Sequence, residues 1–249
     1  MAYQRLRLDV TGRIARLTLT TPRIDVAALG ELTSACEAIA ANDGVSVVLL
    51  QAEGADFCLG WADDAVEARL QPGAPVEAFA GLAALPMPVI ASLQGNTLSA
   101  GLELALCSDI RIAADDARFS LPEVSQGLLP LSGGSQRLTR IAGRSAAASM
   151  LLLGEEMDAA AALRCGLVSR VAAAKDLTSE ADALASRVAE RGPVALRYAK
   201  EAVRQGVEMS LDQGLRLELD LSIVLQTTAD RAEGVKAFLE KRKPEFEGR

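Results

Sequence analysis

Residues 88–110 read PVIASLQGNTLSAGLELALCSDI. After Pro88 comes an apolar run, Val89 to Leu93, with no polar alternation, the pattern of a strand buried on both faces of a parallel sheet. Gly95 closes it. Small residues at Ser99, Ala100 and Gly101 then open a helix, read from Ser99 to Cys107, and a further strand follows from Ile110 to Ala113. Strand, helix and strand in so short a span is the unit of an α/β fold.

The same unit extends in both directions. Upstream, Ile14 to Thr20 reads as a strand with Leu17 and Leu19 on one face. Asp25 stands as an N-cap before Val26, Leu29, Leu32, Cys36 and Ile39, which recur at helical spacing. Val45 to Leu50 is a second buried strand, and Phe57 to Gly60 reads as a strand end. Downstream, Pro122-Glu123 and Gly133-Gly134-Ser135-Gln136-Arg137 each look like a helix start. From Leu177 the pattern is almost wholly helical, with Pro193 at a first helical position. Leu211 to Leu225 is apolar nearly all round, so something covers it, either its own monomer or another subunit. The division expected is an α/β core over residues 1–190 and a helical region over 191–249.

Composition narrows the chemistry. The 249 residues are 50% hydrophobic and 24% charged, enough for a large core and near the globular average. A net charge of −7 disfavours nucleic acid and anionic membrane surfaces as partners. No apolar run has the ~20 residues of a membrane span. Met1 to Val10 alternates polar and apolar residues and lacks an apolar signal core, so the default location is the cytosol. Cys36, Cys58, Cys107 and Cys165 are scattered, as ordinary reduced thiols are. There is no histidine. Histidine-based triads, dyads and metal sites are therefore out of reach, and acid–base chemistry near neutral pH falls chiefly to carboxylates.

Two glutamates stand out by position. Glu103 lies in the first turn of the helix opened by Ser99-Ala100-Gly101, where unpaired backbone N–H groups and the helix dipole favour an anion or an enolate-like oxygen. It serves equally as ordinary first-turn stabilisation. Glu123 follows Pro122 in the same way. If the two meet across one site, one can hold a proton while the other accepts one. A second peptide N–H from Phe57–Gly60 would pair with that of Ala100 as an oxyanion hole, although a plain βα turn reads the same. Gly133 to Arg137 has the makings of an anion site but lacks the lysine and spacing of a phosphate loop, and reads as a turn and packing feature. No Gly-x-Gly-x-x-Gly follows a strand, so a dinucleotide site has no support.

Taken in order, these segments resemble the crotonase (enoyl-CoA hydratase/isomerase) superfamily. The matching stretches are Phe57-Cys58-Leu59-Gly60, Pro88 to Gly95, Gly101-Leu102-Glu103-Leu104-Ala105, Cys107-Ser108-Asp109-Ile110, Phe119 to Glu123, Gly127 to Pro130 and Gly133 to Leu138. Weaker matches are Ala162 to Val168 and Phe238 to Pro244.

The resemblance implies an α/β, crotonase-like spiral of ββα units with a C-terminal helical trimerisation region, in a homotrimer or dimer of trimers. It implies an acyl-CoA thioester as substrate, whose carbonyl oxygen is held by the peptide N–H groups of Leu59 and Ala100. Glu103 would hold the water and Glu123 would exchange a proton with the α-carbon, hydrating a 2-enoyl-CoA to a 3-hydroxyacyl-CoA. Substrate contacts fall by position on Arg23, Gly60, Trp61, Ala62, Gly101 and Leu131. No metal or separate cofactor is implied; coenzyme A enters with the substrate. Trp61-Ala62 displaces the family's usual aspartate to Asp63, Leu131 replaces a small residue, and the segment around Arg23 is short. The alternatives are a Δ3,Δ2-enoyl-CoA isomerase or another thioester reaction through the same enolate, and an inactive acyl-CoA-binding or scaffold paralogue.

Overall fold

The computed structural model describes residues 3–75 and 77–249. Met1 and Ala2 of the alternating N-terminal stretch, and Val76, lie outside them. In chain order the elements are β1 (Leu6–Thr11), β2 (Ile14–Leu19), α1 (Val26–Ala40), β3 (Val47–Ala52), α2 (Asp63–Arg69), α3 (Ala80–Ala83), β4 (Val89–Leu93) and β5 (Asn96–Leu98). Next are α4 (Ala100–Ala105), β6 (Ile110–Ala114), β7 (Arg118–Ser120), α5 (Gly134–Ala148), β8 (Met157–Asp158), α6 (Ala159–Arg164) and β9 (Arg170–Ala172). The chain ends in α7 (Leu177–Ala189), α8 (Pro193–Gly206), α9 (Leu211–Leu225) and α10 (Ala229–Glu240).

The apolar runs become the buried middle of a six-stranded sheet ordered β1-β2-β3-β4-β6-β9, parallel except for the β1–β2 hairpin. All five residues of β4 are buried, as an unbroken apolar strand between two layers requires. Asp25 caps α1 as expected, its Oδ1 accepting the Ala28 N–H at 2.7 Å. The helix α7 packs across β2, β3, β4 and β6.

A second, small sheet, ordered β5-β7-β8, gives the chain its ββα spiral. In each turn one strand joins the large sheet, the next segment joins the small one, and a helix follows. The turns are β3, the segment through Cys58 and α2; then β4, β5 and α4; then β6, β7 and the 3-10 segment Pro122–Gln126. Cys58 pairs with Thr97, and Thr97 with Phe119. This register stacks three strand exits at one edge, so that residues 59–61, 99–100 and 121–123 emerge side by side. Phe57–Gly60, read as a strand end, is reduced to that single bridge, and the helix expected at Pro122 is a five-residue 3-10 segment.

The C-terminal helices are fastened at α8. The Lys200 ammonium lies 2.7 Å from Asp109 Oδ2 and donates to the Met87 carbonyl at 2.9 Å, and the same Asp109 oxygen accepts the Val89 N–H at 2.7 Å. Burial draws the Lys200 pKa below its usual value, against the pull of Asp109. In contrast, α9 has no buried residue. Leu211, Leu215, Leu219 and Ile223, spaced one turn apart, are 79%, 56%, 60% and 56% exposed. Burial within its own monomer, one of the two alternatives above, is not what the helix adopts: Leu217, Leu221 and Leu225 are only part-buried, and the helix packs on α8. No helix among the described residues is long and apolar enough to cross a membrane.

Candidate active site

The three stacked strand exits wall a cavity of about 320 Å³. Gly60 and Trp61 enter from the first turn, Leu98 and Ser99 from the second, and Pro122 and Glu123 from the third; Leu128 and Leu131 close one side and Arg23 stands at the rim. The approach is close because of two glycines. Gly60 holds φ +114°, and a Cβ there would sit 3.0 Å from that of Ser99. A Cβ on Gly101 would come within 2.6 Å of Cys58 Cβ and 2.8 Å of the Cys58 carbonyl oxygen. Ser99 itself takes φ 51° and ψ −120°, a conformation that costs a side-chain-bearing residue of order 1–3 kcal/mol and that fixes the turn into α4.

The two glutamates sit in opposite surroundings. Glu103 is wholly buried. Its Oε1 accepts the peptide N–H groups of Ser132 at 2.6 Å and Gly134 at 3.0 Å, and its Oε2 accepts the Trp61 indole N–H at 3.1 Å. The anion at the Gly133–Arg137 helix start is thus the protein's own Glu103, a role the sequence hinted at but did not assign. Burial pushes the Glu103 pKa up. The two peptide bonds and then the indole bond oppose the shift, while Glu123 adds to it. Glu123 is buried at the cavity wall, and neither of its carboxylate oxygens has a hydrogen-bond partner of good geometry. Its pKa is also raised by burial, with the nearby Ser99 hydroxyl pulling the other way.

The backbone donors differ from expectation at one position. The Leu59 N–H is donated to the Pro22 carbonyl at 2.7 Å and cannot hold an oxyanion, although Leu59 does line the cavity. Two residues on, Trp61 pairs with Ile24 through the Gly60 carbonyl and the Ala62 N–H, so its own N–H faces away from that strand. Among the described residues, neither this N–H nor that of Ala100, at the start of α4, is donated to another group.

Of the expected contact residues, Arg23, Gly60, Trp61 and Leu131 line the cavity. Ala62 and Gly101 do not. The Ala62 N–H is spent on the Ile24 carbonyl at 2.9 Å, where the residue caps α2, and Gly101 is a packing glycine against Cys58. Sequence reasoning missed Ser99 as a cavity residue, and it missed the Trp61–Glu103 bond altogether. The indole of Trp61 also stacks on Phe79, centroids 5.4 Å apart and planes at 7°. The loop below is clamped: Arg69 donates to the Leu131 carbonyl at 2.5 Å, Ser132 Oγ accepts the Ala78 N–H at 2.8 Å, and Arg137 pairs with Glu77.

Comparison with known proteins places this geometry. The chain matches the enoyl-CoA hydratase/isomerase family over residues 10–249. It is 41% identical over 247 residues to a 2,3-dehydroadipyl-CoA hydratase of Escherichia coli, covering 95% of this chain and 96% of that one. It is 33% identical to a crotonyl-CoA hydratase of Syntrophomonas wolfei, over 99% of each chain. The crystal structure of an enoyl-CoA hydratase from Bacillus anthracis superposes with a TM-score of 0.91 at 31% identity, covering 99% of this chain and 100% of that one.

Proposed function

Because the chain belongs to the enoyl-CoA hydratase/isomerase family, the crotonase superfamily, and is an enzyme of it, we propose that it adds water across the double bond of a 2-enoyl-CoA, with Glu123 as the proton donor to the α-carbon. The observation that carries this reading is the bare carboxyl group of Glu123 at the cavity wall, beside a partnered Glu103.

Water attacks C3, forming the C–O bond, and passes a proton to ionised Glu103. The C2–C3 π electrons move onto the thioester oxygen, held by the Trp61 and Ala100 N–H groups, with the α4 dipole behind it. Neutral Glu123 then protonates C2, the thioester carbonyl re-forms, and the surplus proton on Glu103 returns to Glu123 through solvent. The starting ionisation follows from the surroundings. Glu103 accepts three hydrogen bonds that stabilise its charge, whereas the Glu123 carboxyl has the Ser99 hydroxyl and its own peptide N–H nearby but no bond of good geometry.

Crotonyl-CoA and 2,3-dehydroadipyl-CoA, the thioesters for which two relatives are named, are the first substrates to try. Loss of conjugated thioester absorbance with 3-hydroxyacyl-CoA appearing, abolished in Glu123→Gln, supports the reading. One observation favours a second. Glu103 is fully buried and engaged by three donors, which would leave Glu123 alone to shuttle a proton between C4 and C2 of a 3-enoyl-CoA. Gain of conjugation from 3-enoyl-CoA, with no hydration, would establish that isomerase reading instead.

The apolar row of α9 is read here as the surface that joins copies of the chain into a trimer or a pair of trimers, and residues 191–249 as the region that builds it.

A further inference from the structure

The indole of Trp61 stands between the cavity and Glu103. Trp61 lines the cavity, and its ring stacks on buried Phe79 while its N–H ends on Glu103 Oε2. A carboxylate has about four acceptor positions. Ser132, Gly134 and Trp61 fill three of those on Glu103, leaving one. We propose that Trp61 is a positioning residue for hydration, fixing Glu103 Oε2 so that this carboxylate accepts from a single water, while the stacked ring fixes the wall against which that water meets the acyl group. This rests on the hydratase reading above.

Three features carry the inference beyond the presence of a large side chain. First, the residue is held at both ends: Arg23 donates to the Trp61 carbonyl at 3.1 Å, and the indole cannot swing away without breaking its stack on Phe79 and its bond to Glu103. Second, the other two donors to Glu103 come from the clamped loop, so the carboxylate is held from two independent elements. Third, among the described residues no cation forms an ion pair with Glu103. The titratable and charged groups around it are Glu123 from the 3-10 segment, Cys107 just past the end of α4, and Arg137 on α5, which is already paired with Glu77. The three N–H donors, not a counter-charge, keep Glu103 an acceptor.

Trp61→Phe preserves the stacked ring and deletes the donor. A hydrogen bond to a charged group is typically worth a factor of roughly 10–100. The expected result with crotonyl-CoA is therefore a kcat lower by about that factor and a KM within about threefold, since the wall stays in place. The acid limb of the kcat profile moves to higher pH, because the lost bond had favoured the ionised form. An unchanged limb with altered KM and acyl-length preference would overturn the proposal and leave Trp61 a wall. A second measurement needs no turnover, and its first arm uses the wild type alone. Trp61 is the chain's one tryptophan, so wild-type tryptophan emission reports on this residue alone, and the two glutamate variants assign any titration to its partner. It is expected to titrate with Glu103, to keep that titration in Glu123→Gln and to lose it in Glu103→Gln. A flat wild-type titration refutes the coupling. An inactive wild type that still titrates refutes the hydratase reading and leaves the Trp61–Glu103 bond standing.

Discussion

Replacing Gly101 by alanine tests how the fold sets the site. The new methyl group would lie 2.6 Å from Cys58 Cβ and 2.8 Å from the Cys58 carbonyl oxygen. That oxygen is pinned, because it accepts the Leu98 N–H at 2.9 Å. To reach ordinary contact near 3.5 Å, α4 and the Cys58 segment must part by roughly 0.7–0.9 Å. Overpacking of this kind costs about 1–3 kcal/mol. In a chain of this size that lowers the thermal midpoint by about 2–12 °C. The functional effect follows from the same displacement. Ala100 rides on α4 and Trp61 on the Cys58 segment, so the two proposed oxyanion donors separate by nearly the added distance. A misplacement approaching 1 Å costs up to about a hundredfold in rate. The assay is a calorimetric melt, with initial rates on crotonyl-CoA well below both midpoints. Cys58→Ala is the control: it keeps both Cβ and the carbonyl oxygen, so it should not rescue Gly101→Ala. A Gly101→Ala protein with unchanged midpoint and unchanged kcat would refute the claim that this contact sets the spacing of the site.

Glu123→Gln should abolish turnover by about 10²–10⁴-fold yet raise stability at neutral pH. A carboxyl whose folded pKa lies above its ordinary 4.5 binds more protons folded than unfolded; the stability this confers is full below 4.5 and is lost as pH rises through the folded pKa. The gain from glutamine should therefore be present at pH 8 and shrink toward pH 4, as melts across that range would show. Lys200→Met breaks the Asp109 ion pair, leaving Asp109 the Val89 N–H and the weaker pull of Arg111, and should cost about 3 kcal/mol in chemical denaturation, at the low end for a broken buried pair because Asp109 is partly exposed. Leu219→Glu puts a charge in the middle of the α9 row and should shift the assembly toward monomers in light scattering, with the thermal midpoint of the monomer little changed.

Much of the large sheet was legible because buried strands and amphipathic helices leave long apolar patterns. β4 and α9 match their expected bounds, and Asp25 and Pro193 mark their helices as their chemistry requires. The small sheet was not legible, since strands of two or three residues such as β5, β7 and β8 show no period. The site split along a similar line. Carboxylates and small-residue turns announce themselves, so Glu103, Glu123 and Ala100 could be named as candidates from the sequence, and of these Glu123 lines the cavity. Whether a peptide N–H is free depends on a partner far along the chain, and Leu59 lost its N–H to Pro22. The Trp61–Glu103 bond depends on how two turns of the spiral stack, which no local spacing records.

Glu103 holds the loop through Ser132 and Gly134 as well as facing the chemistry proposed for it, whereas the oxygens of Glu123 hold nothing in place. Mutation would therefore act unevenly on the pair. A descendant that had lost its reaction would still need an acidic side chain at position 103 to keep its loop, but would be free to drift at 123. If the proposed chemistry holds, a glutamate at 103 is expected to persist for the sake of the loop even where the reaction is lost. A glutamate at 123 is expected to persist only where the reaction does.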